Sequence, residues 1–447
     1  MVKHRCKQKG KGLNRFLLIL VILLMNITAE AQTLSLDQCI DTALIYNRNI
    51  KLSQQDVNIS TEKNREIRGN LLPKLNGIAD YRYYTDLPYQ LMPAAAFGGP
   101  EGTYKEVQFG VPQSLNANLQ LSIPLFNSTA LNAVKSIRIA TELSEIQKTK
   151  TDEDVVLEVS NAYYNAQILL NQIAFLDSNI INTDKLVKTT TLLNEQQIAK
   201  GTDVDRLKLQ LEQVTTQRST VFSQYQQVLN ALKFLMGKPI SDPIEVLLNE
   251  KSIVETNFQL QITTDMLLID KKIEFNNSEL SGLRNLRLPS LSAYGVYGTT
   301  GFGTTGSNSF FNFHPIGYVG AQLSVPLFNG RITQHKIAGK KIEIIKSNIQ
   351  KEIVTEKSIL DLKNAEMQYS LATKNISVVS SQIDLAKKIY DNTVLQNQQG
   401  VANITDLLLA DNALRETQQN YLVALINLRR AELEYKRVTG NLIISKN

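Results

Sequence analysis

Reactive side chains are scarce in this chain of 447 residues. Past residue 31 it holds one cysteine, Cys39, and two histidines: His314 in a glycine-rich stretch and His335 early in a long helical pattern. Neither histidine stands at metal-ligand spacing from a Cys, His or acidic cluster, so no metal site is expected. Gly301-Phe302-Gly303-Thr304-Thr305-Gly306 fits GxGxxG by letters. No helix pattern follows it, so it reads as loop rather than a phosphate cradle. Asp152 and Asp154 fall on a heptad helix and read as solvated face. The expectation is a protein that is no enzyme and needs no cofactor. What remains is electrostatic. Asp203, Asp205 and Asp406 lie next to Gly201 and Gly400, where two long helical patterns break. There an acid either caps the returning helix or, gathered from several copies, favours cations in a constriction. A glycine just past each helix end would supply the left-handed cap that reverses the chain.

Long helices must position those turns. Val155, Val159, Ala162, Ala166, Leu169, Ile173, Leu176 and Ile180 step by four and three without a break. Ala365, Tyr369, Ala372, Ile376, Val379, Ile383, Ala386 and Tyr390 do the same. In the shorter returning helix the seam runs from Leu207 to Leu235, with Arg218 filling one position. Sustained seams of this kind mean coiled-coil packing, and a run of about 70 residues would reach about 105 Å. The other faces carry Gln, Asn, Lys and Thr, as helices wetted on two sides require.

Each long helical run follows a strand. Leu115, Ala117, Leu119, Leu121 and Ile123 alternate with Asn116, Asn118, Gln120 and Ser122. Gly317, Val319, Ala321, Leu323 and Val325 alternate with Tyr318, Gly320, Gln322 and Ser324. Leu75–Leu87 and Leu291–Thr300 alternate as partners, giving four strands of bilayer length. A soluble sandwich would show the same alternation. Aromatic placement argues for membrane strands: 16 of the 30 Phe and Tyr residues lie in Ile78–Phe126 and Ser290–Phe328, many near strand ends. The segments 86–114 and 299–315 read as exposed loops. At the far ends, Pro124 and Pro326 are expected to stop the ladder, followed by Phe126 and Phe328, with Asn127 and Asn329 as helix N-caps.

The plan is written twice. Leu121–Asn127 (LSIPLFN) returns as Leu323–Asn329 (LSVPLFN), Leu72-Pro73 as Leu288-Pro289, Gly201 as Gly400, and Gly237 as Gly440. This order divides the chain into residues 1–31, a signal peptide, and two repeats, 32–250 and 251–447. The signal peptide has a basic start, the short apolar run Phe16–Met25 and Ala29-Glu30-Ala31 before Gln32. An anchor is the rival reading, but ten apolar residues are too few to span a bilayer as a helix. Removing six Lys and Arg and one Glu from totals of 48 and 42 leaves 42 against 41. The basic pI therefore belongs to the leader and gives no reason to expect nucleic acid as a partner. Cys39 alone excludes an intrachain disulfide and reads as a buried helical thiol.

Four membrane strands leave two open edges that hydrocarbon cannot satisfy, so physics requires a dimer of eight strands, a trimer of twelve or a larger closure. The junctions, the duplicated plan and the turn phrases Lys200-Gly201-Thr202-Asp203-Val204-Asp205 and Gln399-Gly400 through Leu408 resemble the TolC-like outer-membrane efflux proteins. The resemblance covers essentially the whole chain after the leader. It implies a mixed α and β membrane protein: a duplicated long-helix coiled-coil barrel with four transmembrane β-strands per chain. A homotrimer would close a 12-stranded β-barrel in outer-membrane lipid and a 12-helix tunnel in the periplasm of a Gram-negative bacterium. It further implies an exit duct for efflux or type I secretion, fed by an inner-membrane transporter of the RND or ABC type through a periplasmic adaptor (membrane fusion protein). Gly201, Asp203, Asp205, Gly400, Thr405, Asp406 and Leu407 would form the periplasmic tip, both gate and docking point. Pro124, Phe126, Asn127, Pro326, Phe328 and Asn329 would form the strand-to-helix junctions. The alternative is a periplasmic coiled-coil adaptor or scaffold without a pore, which explains the helices but not the strands.

Overall fold

A computed structural model describes residues 32–247, 262–304 and 312–442. The leader reading therefore lies outside the described residues. The chain runs β1 (Gln32–Leu34), α1 (Leu36–Tyr46), α2 (Arg48–Gly69), β2 (Lys74–Tyr83), β3 (Tyr89–Pro93), β4 (Tyr104–Gln108), β5 (Gln113–Asn127) and α3 (Ser128–Glu195). It continues α4 (Gly201–Leu235), β6 (Ile244–Val246), α5 (Thr264–Asn285), β7 (Ser290–Gly303), β8 (Asn312–Ser324), α6 (Ile332–Gln398) and α7 (Ile404–Val438). It divides into two compact units: 1–52, 149–263 and 357–447 form the first, and 53–148 with 264–356 the second.

The second unit contains one antiparallel sheet in the order β2-β5-β7-β8. Up to Pro124 every pair joins odd with odd and even with even residues: Leu75 to Leu121, Leu121 to Gly295, Gly295 to Val319. All four strands therefore turn the same parity to the same face, which is what fixed alternation demands. The odd face carries Leu, Ala, Gly, Val and Tyr, with Leu75, Leu119, Tyr297 and Val319 each more than half exposed. The even face carries Asp80, Arg82, Asn116, Asn118, Gln120 and Gln322, which line a shallow polar cleft. Among the described residues neither β2 nor β8 has a strand on its outer edge. Past the sheet, β3 and β4 pair as a two-stranded ribbon, so the stretch read as loop contains strand.

Three further expectations are corrected here. Pro124 does not stop the ladder: β5 runs through it to Asn127, with a register break between Pro124 and Phe126, and bulges are where sheets tolerate proline. His314 lies in β8 opposite Thr300, not in a loop. Asn127 does cap α3, accepting from Ala130 N at 3.0 Å. Asn329 does not cap α6: Gly330 and Arg331 intervene with left-handed backbones, φ 64° and 65°, and the Asn329 amide donates to the Thr333 hydroxyl. Below the sheet, α5 is tied on both flanks. Lys271 meets Glu142 of α3 at 2.7 Å, while Asp270 and Glu279 meet Lys351 and Lys340 of α6 at 2.7 and 2.8 Å.

In the first unit the heptad seams hold. Val155, Val159 and Ala166 of α3 are buried, as are Leu207, Val214, Val221 and Leu232 of α4. Along α6, Ala365, Ala372, Ala386 and Tyr390 are buried. Arg218, the one charged seam position, reaches Asp177 of α3 at 2.9 Å and lies over the Phe222 ring. The core also takes in Cys39, buried in α1, and the parallel pair β1–β6. Tyr163 donates its hydroxyl to Leu34 O at 3.1 Å, and Asn47 donates to Leu235 O at 2.6 Å. Gly237 ends α4 with φ 69° so close to Tyr46 that a Cβ would stand 2.3 Å from the Tyr46 carbonyl oxygen; only glycine fits. No described helix is long and apolar enough to cross a membrane.

Candidate functional site

The two helix turns of the first unit, α3 to α4 and α6 to α7, have one geometry. In the first, Asn194 donates its side-chain amide to Ala199 O at 2.8 Å; in the second, Asn397 donates to Ala402 O at 2.9 Å. Three residues beyond each asparagine the backbone turns left-handed, at Gln197 (φ 62°) and Gly400 (φ 73°). Each of those residues donates its N–H to the carbonyl of its asparagine, at 2.9 and 3.0 Å. The next N–H bonds to Leu193 O in one turn and Gln396 O in the other. The asparagine amide thus satisfies a carbonyl that neither helix can reach, and the chain reverses within five residues.

This shared geometry sets the correspondence of the turns. Asn194 answers Asn397, Gln197 answers Gly400, Thr202 answers Thr405, Asp203 answers Asp406 and Val204 answers Leu407. Gly201 therefore does not match Gly400. It is the first residue of α4, has no left-handed backbone, and answers Ile404. A glycine landmark misaligned the turns because the first one places glutamine, unusually, in the left-handed position. Aligning on Asn-x-x-x-x-Ala would have found the match. Asp205 accordingly answers Leu408, and Arg206 answers Leu409.

The acids differ in their local roles. Asp406 is half of a capping box: its carboxylate accepts from Asn403 N at 3.1 Å, and Asn403 Oδ1 accepts from Asp406 N at 2.9 Å. Asp203 lacks that partner, since Lys200 stands in the N-cap place without a side-chain bond. Instead it faces Arg206 at 3.8 Å. Asp205 and Thr405 are exposed. Leu407 is fully buried against Ala386, Tyr390, Ala410 and Leu414, with Leu186 of α3 beside them. Its part is packing, and its side chain is withheld from any partner.

A charged group that sequence reasoning missed lies just beyond. Asp411 of α7 is buried, pairs with Arg415, and accepts from Gln210 of α4 at 3.2 Å. Burial raises its carboxyl above the ordinary range, outweighing the Arg415 charge. Burial and the Asp411 charge push the Tyr390 phenol up to about 12. Asp411 could not be singled out because nothing in the heptad distinguishes a buried acid from a solvated one. Farther along α3, Asn179 bonds Gln418 at 3.0 Å, so polar amides as well as apolar seams join the hairpins.

Comparison with known proteins gives a consistent result. Residues 39–238 match the outer membrane efflux protein family. The chain is 19% identical over 437 residues to outer membrane protein TolC of Escherichia coli (strain K12), covering 91% of this chain and 84% of that protein. It is 18% identical to the TolC of Salmonella enteritidis, covering 90% and 82%. Among solved structures, the outer membrane protein VceC of Vibrio cholerae superposes with a TM-score of 0.74 at 14% identity, covering 91% of this chain and 96% of the other. The open-state MtrE outer membrane channel of Neisseria gonorrhoeae gives 0.71 at 17%, covering 91% and 89%. The fold is theirs.

Proposed function

We propose that this chain, a member of the TolC-like outer-membrane efflux protein family, is the passive exit duct of a tripartite system, most simply an efflux pump. The family is one of channels, not enzymes, and its place is the outer membrane of Gram-negative bacteria, with the helices extending into the periplasm. Three copies would join their sheets into a twelve-stranded barrel and their helices into a twelve-helix tunnel. A periplasmic adaptor would dock at the turns around Asn194–Asp203 and Asn397–Asp406, with an RND or ABC transporter behind it. Residues 32–250 and 251–447 would be the two repeats, a reading supported by helix pairs of 68 and 67, and of 35 and 35, residues.

One observation carries this reading: a four-stranded sheet with an uncharged apolar face and two strand edges free of partners among the described residues. In hydrocarbon each unsatisfied backbone group costs several kcal/mol, so a single copy cannot remain open there. A coiled-coil adaptor has no use for such a sheet. Light scattering on the detergent-solubilised protein tests the reading. A particle of three chains supports it; a monomer stable without detergent would end it.

A further inference from the structure

The ends of the membrane strands nearest the helices carry an unbalanced charge. Asp and Glu are absent from residues 67–79, 107–141 and 280–342, leaving Asp80 as the one acid in the four-stranded sheet. The same stretches hold Arg68, Lys74, Arg284, Arg287 and Arg331 where strands meet helices. All five are exposed, and none is ion-paired among the described residues; Lys74 bonds only the Asn70 amide oxygen, at 3.0 Å. Other cations of this unit are paired, as Lys271 and Lys340 are in the ties of α5 to its neighbours.

Apolar side chains stand among these charges. Leu327 and Phe328, between β8 and α6, are 92% and 84% exposed in the single chain, and their repeat counterparts Leu125 and Phe126 are still 57% and 45% exposed although β5 pairs with both β2 and β7. With Arg287 and Arg331 they line a cleft of about 290 Å³. Two guanidiniums beside two bare hydrophobic side chains fit a group with a phosphate next to acyl chains. A soluble phosphate would use the arginines and leave Leu327 and Phe328 in water. The position fits as well: the cleft lies at the end of the apolar strand face, where a bilayer gives way to its headgroups.

We propose that this collar binds the phosphate of anionic phospholipids in the near leaflet, with Arg287 and Arg331 as the principal contacts and Leu327 and Phe328 inserted among the acyl chains. The inference rests on the membrane reading above and adds a lipid class to it. Each Lys or Arg near an anionic surface strengthens attachment roughly fivefold, and salt weakens it as exposed charges are screened.

The test is lipid retention by the detergent-solubilised protein, using phosphatidylglycerol and phosphatidylcholine of identical chains and native mass spectrometry. Preferential retention of phosphatidylglycerol, lowered about 25-fold by R287Q/R331Q and kept by R287K/R331K, would support the collar. In the wild type, the preference should also fall as ionic strength rises. Equal retention of the two lipids, a preference unchanged in R287Q/R331Q, or equal thermal stabilisation by inorganic phosphate would overturn it. Conducting pores with no headgroup preference would sink this inference alone; failure to conduct in any bilayer would sink it together with the reading on which it rests.

Discussion

Replacing Gly400 separates backbone strain from partner sterics, because the structure assigns a magnitude to the first. Gly400 holds φ 73°, and a Cβ built there meets nothing within 4 Å. Any L-residue at 400 therefore pays the left-handed penalty, roughly 1–2 kcal/mol, and its Cβ meets no other atom of this chain. Gln197 already carries the same cost in the matching turn, so a side chain is tolerated in this geometry. Gly400→Ala and Gly400→Leu should consequently melt alike, each slightly below wild type in detergent. They should part in function. Alanine should keep adaptor capture and transport, whereas leucine, three carbons longer, should lose both while oligomers stay intact. If alanine proves as damaging as leucine, strain and not docking is responsible. If leucine transports normally, the turn is not the docking point. Gly201→Ala is the control: its backbone is helical and its nearest atom lies 4.0 Å away, so alanine should be neutral or stabilise by up to about 1 kcal/mol.

The alkaline limb of stability should report Tyr390. Its phenol sits near 12 when folded and near its ordinary 10 when unfolded, so between those values only the unfolded state loses its proton. Stability should fall as pH rises from about 10 to 12, by roughly 1.4 kcal/mol per unit, and Tyr390→Phe should flatten that slope in chemical denaturation; an unchanged slope would contradict the assignment. Arg218→Leu should cost little or stabilise, since the pair with Asp177 is partly exposed and worth at most about 1 kcal/mol, while the seam gains an apolar residue; a loss of several kcal/mol in melting would refute this. On β5, Leu119→Arg should destabilise the barrel by about 2–4 kcal/mol, whereas Asn118→Arg on the opposite face should fold normally and change ion selectivity in bilayer recordings. Equal effects at the two neighbours would mean the faces are misassigned.

What the sequence made legible was periodic. Alternation from Leu115 to Ile123 separated an apolar face from a polar one because parity survives each antiparallel pairing up to Pro124. The seam from Ala365 to Tyr390 was readable because each helical position meets its neighbours in a fixed rhythm. Features set by single close approaches were not. The first turn places glutamine where glycine was expected, so its alignment depended on an asparagine side chain. Pro124 passed inside a strand because a bulge, invisible in the pattern, absorbs it. Gly237 could be placed after a helix, but its contact with Tyr46 joins segments nearly two hundred residues apart. Leu407 resembled its exposed neighbours until packing buried it.

The central claim is that β2 of one copy pairs with β8 of the next. Within one chain two strands separate these edges, a distance of about 14 Å, whereas disulfide-bonded Cα atoms lie within roughly 7 Å. A cysteine at Asn76 in β2, combined in turn with one at Tyr318, Gly320 or Gln322 in β8, can therefore bridge only between copies. Oxidation should yield, for at least one pair, a ladder of linked chains on denaturing gels that stops at three. A ladder that runs on without limit, or linkage at none of the three pairs in correctly inserted protein, would contradict the shared barrel.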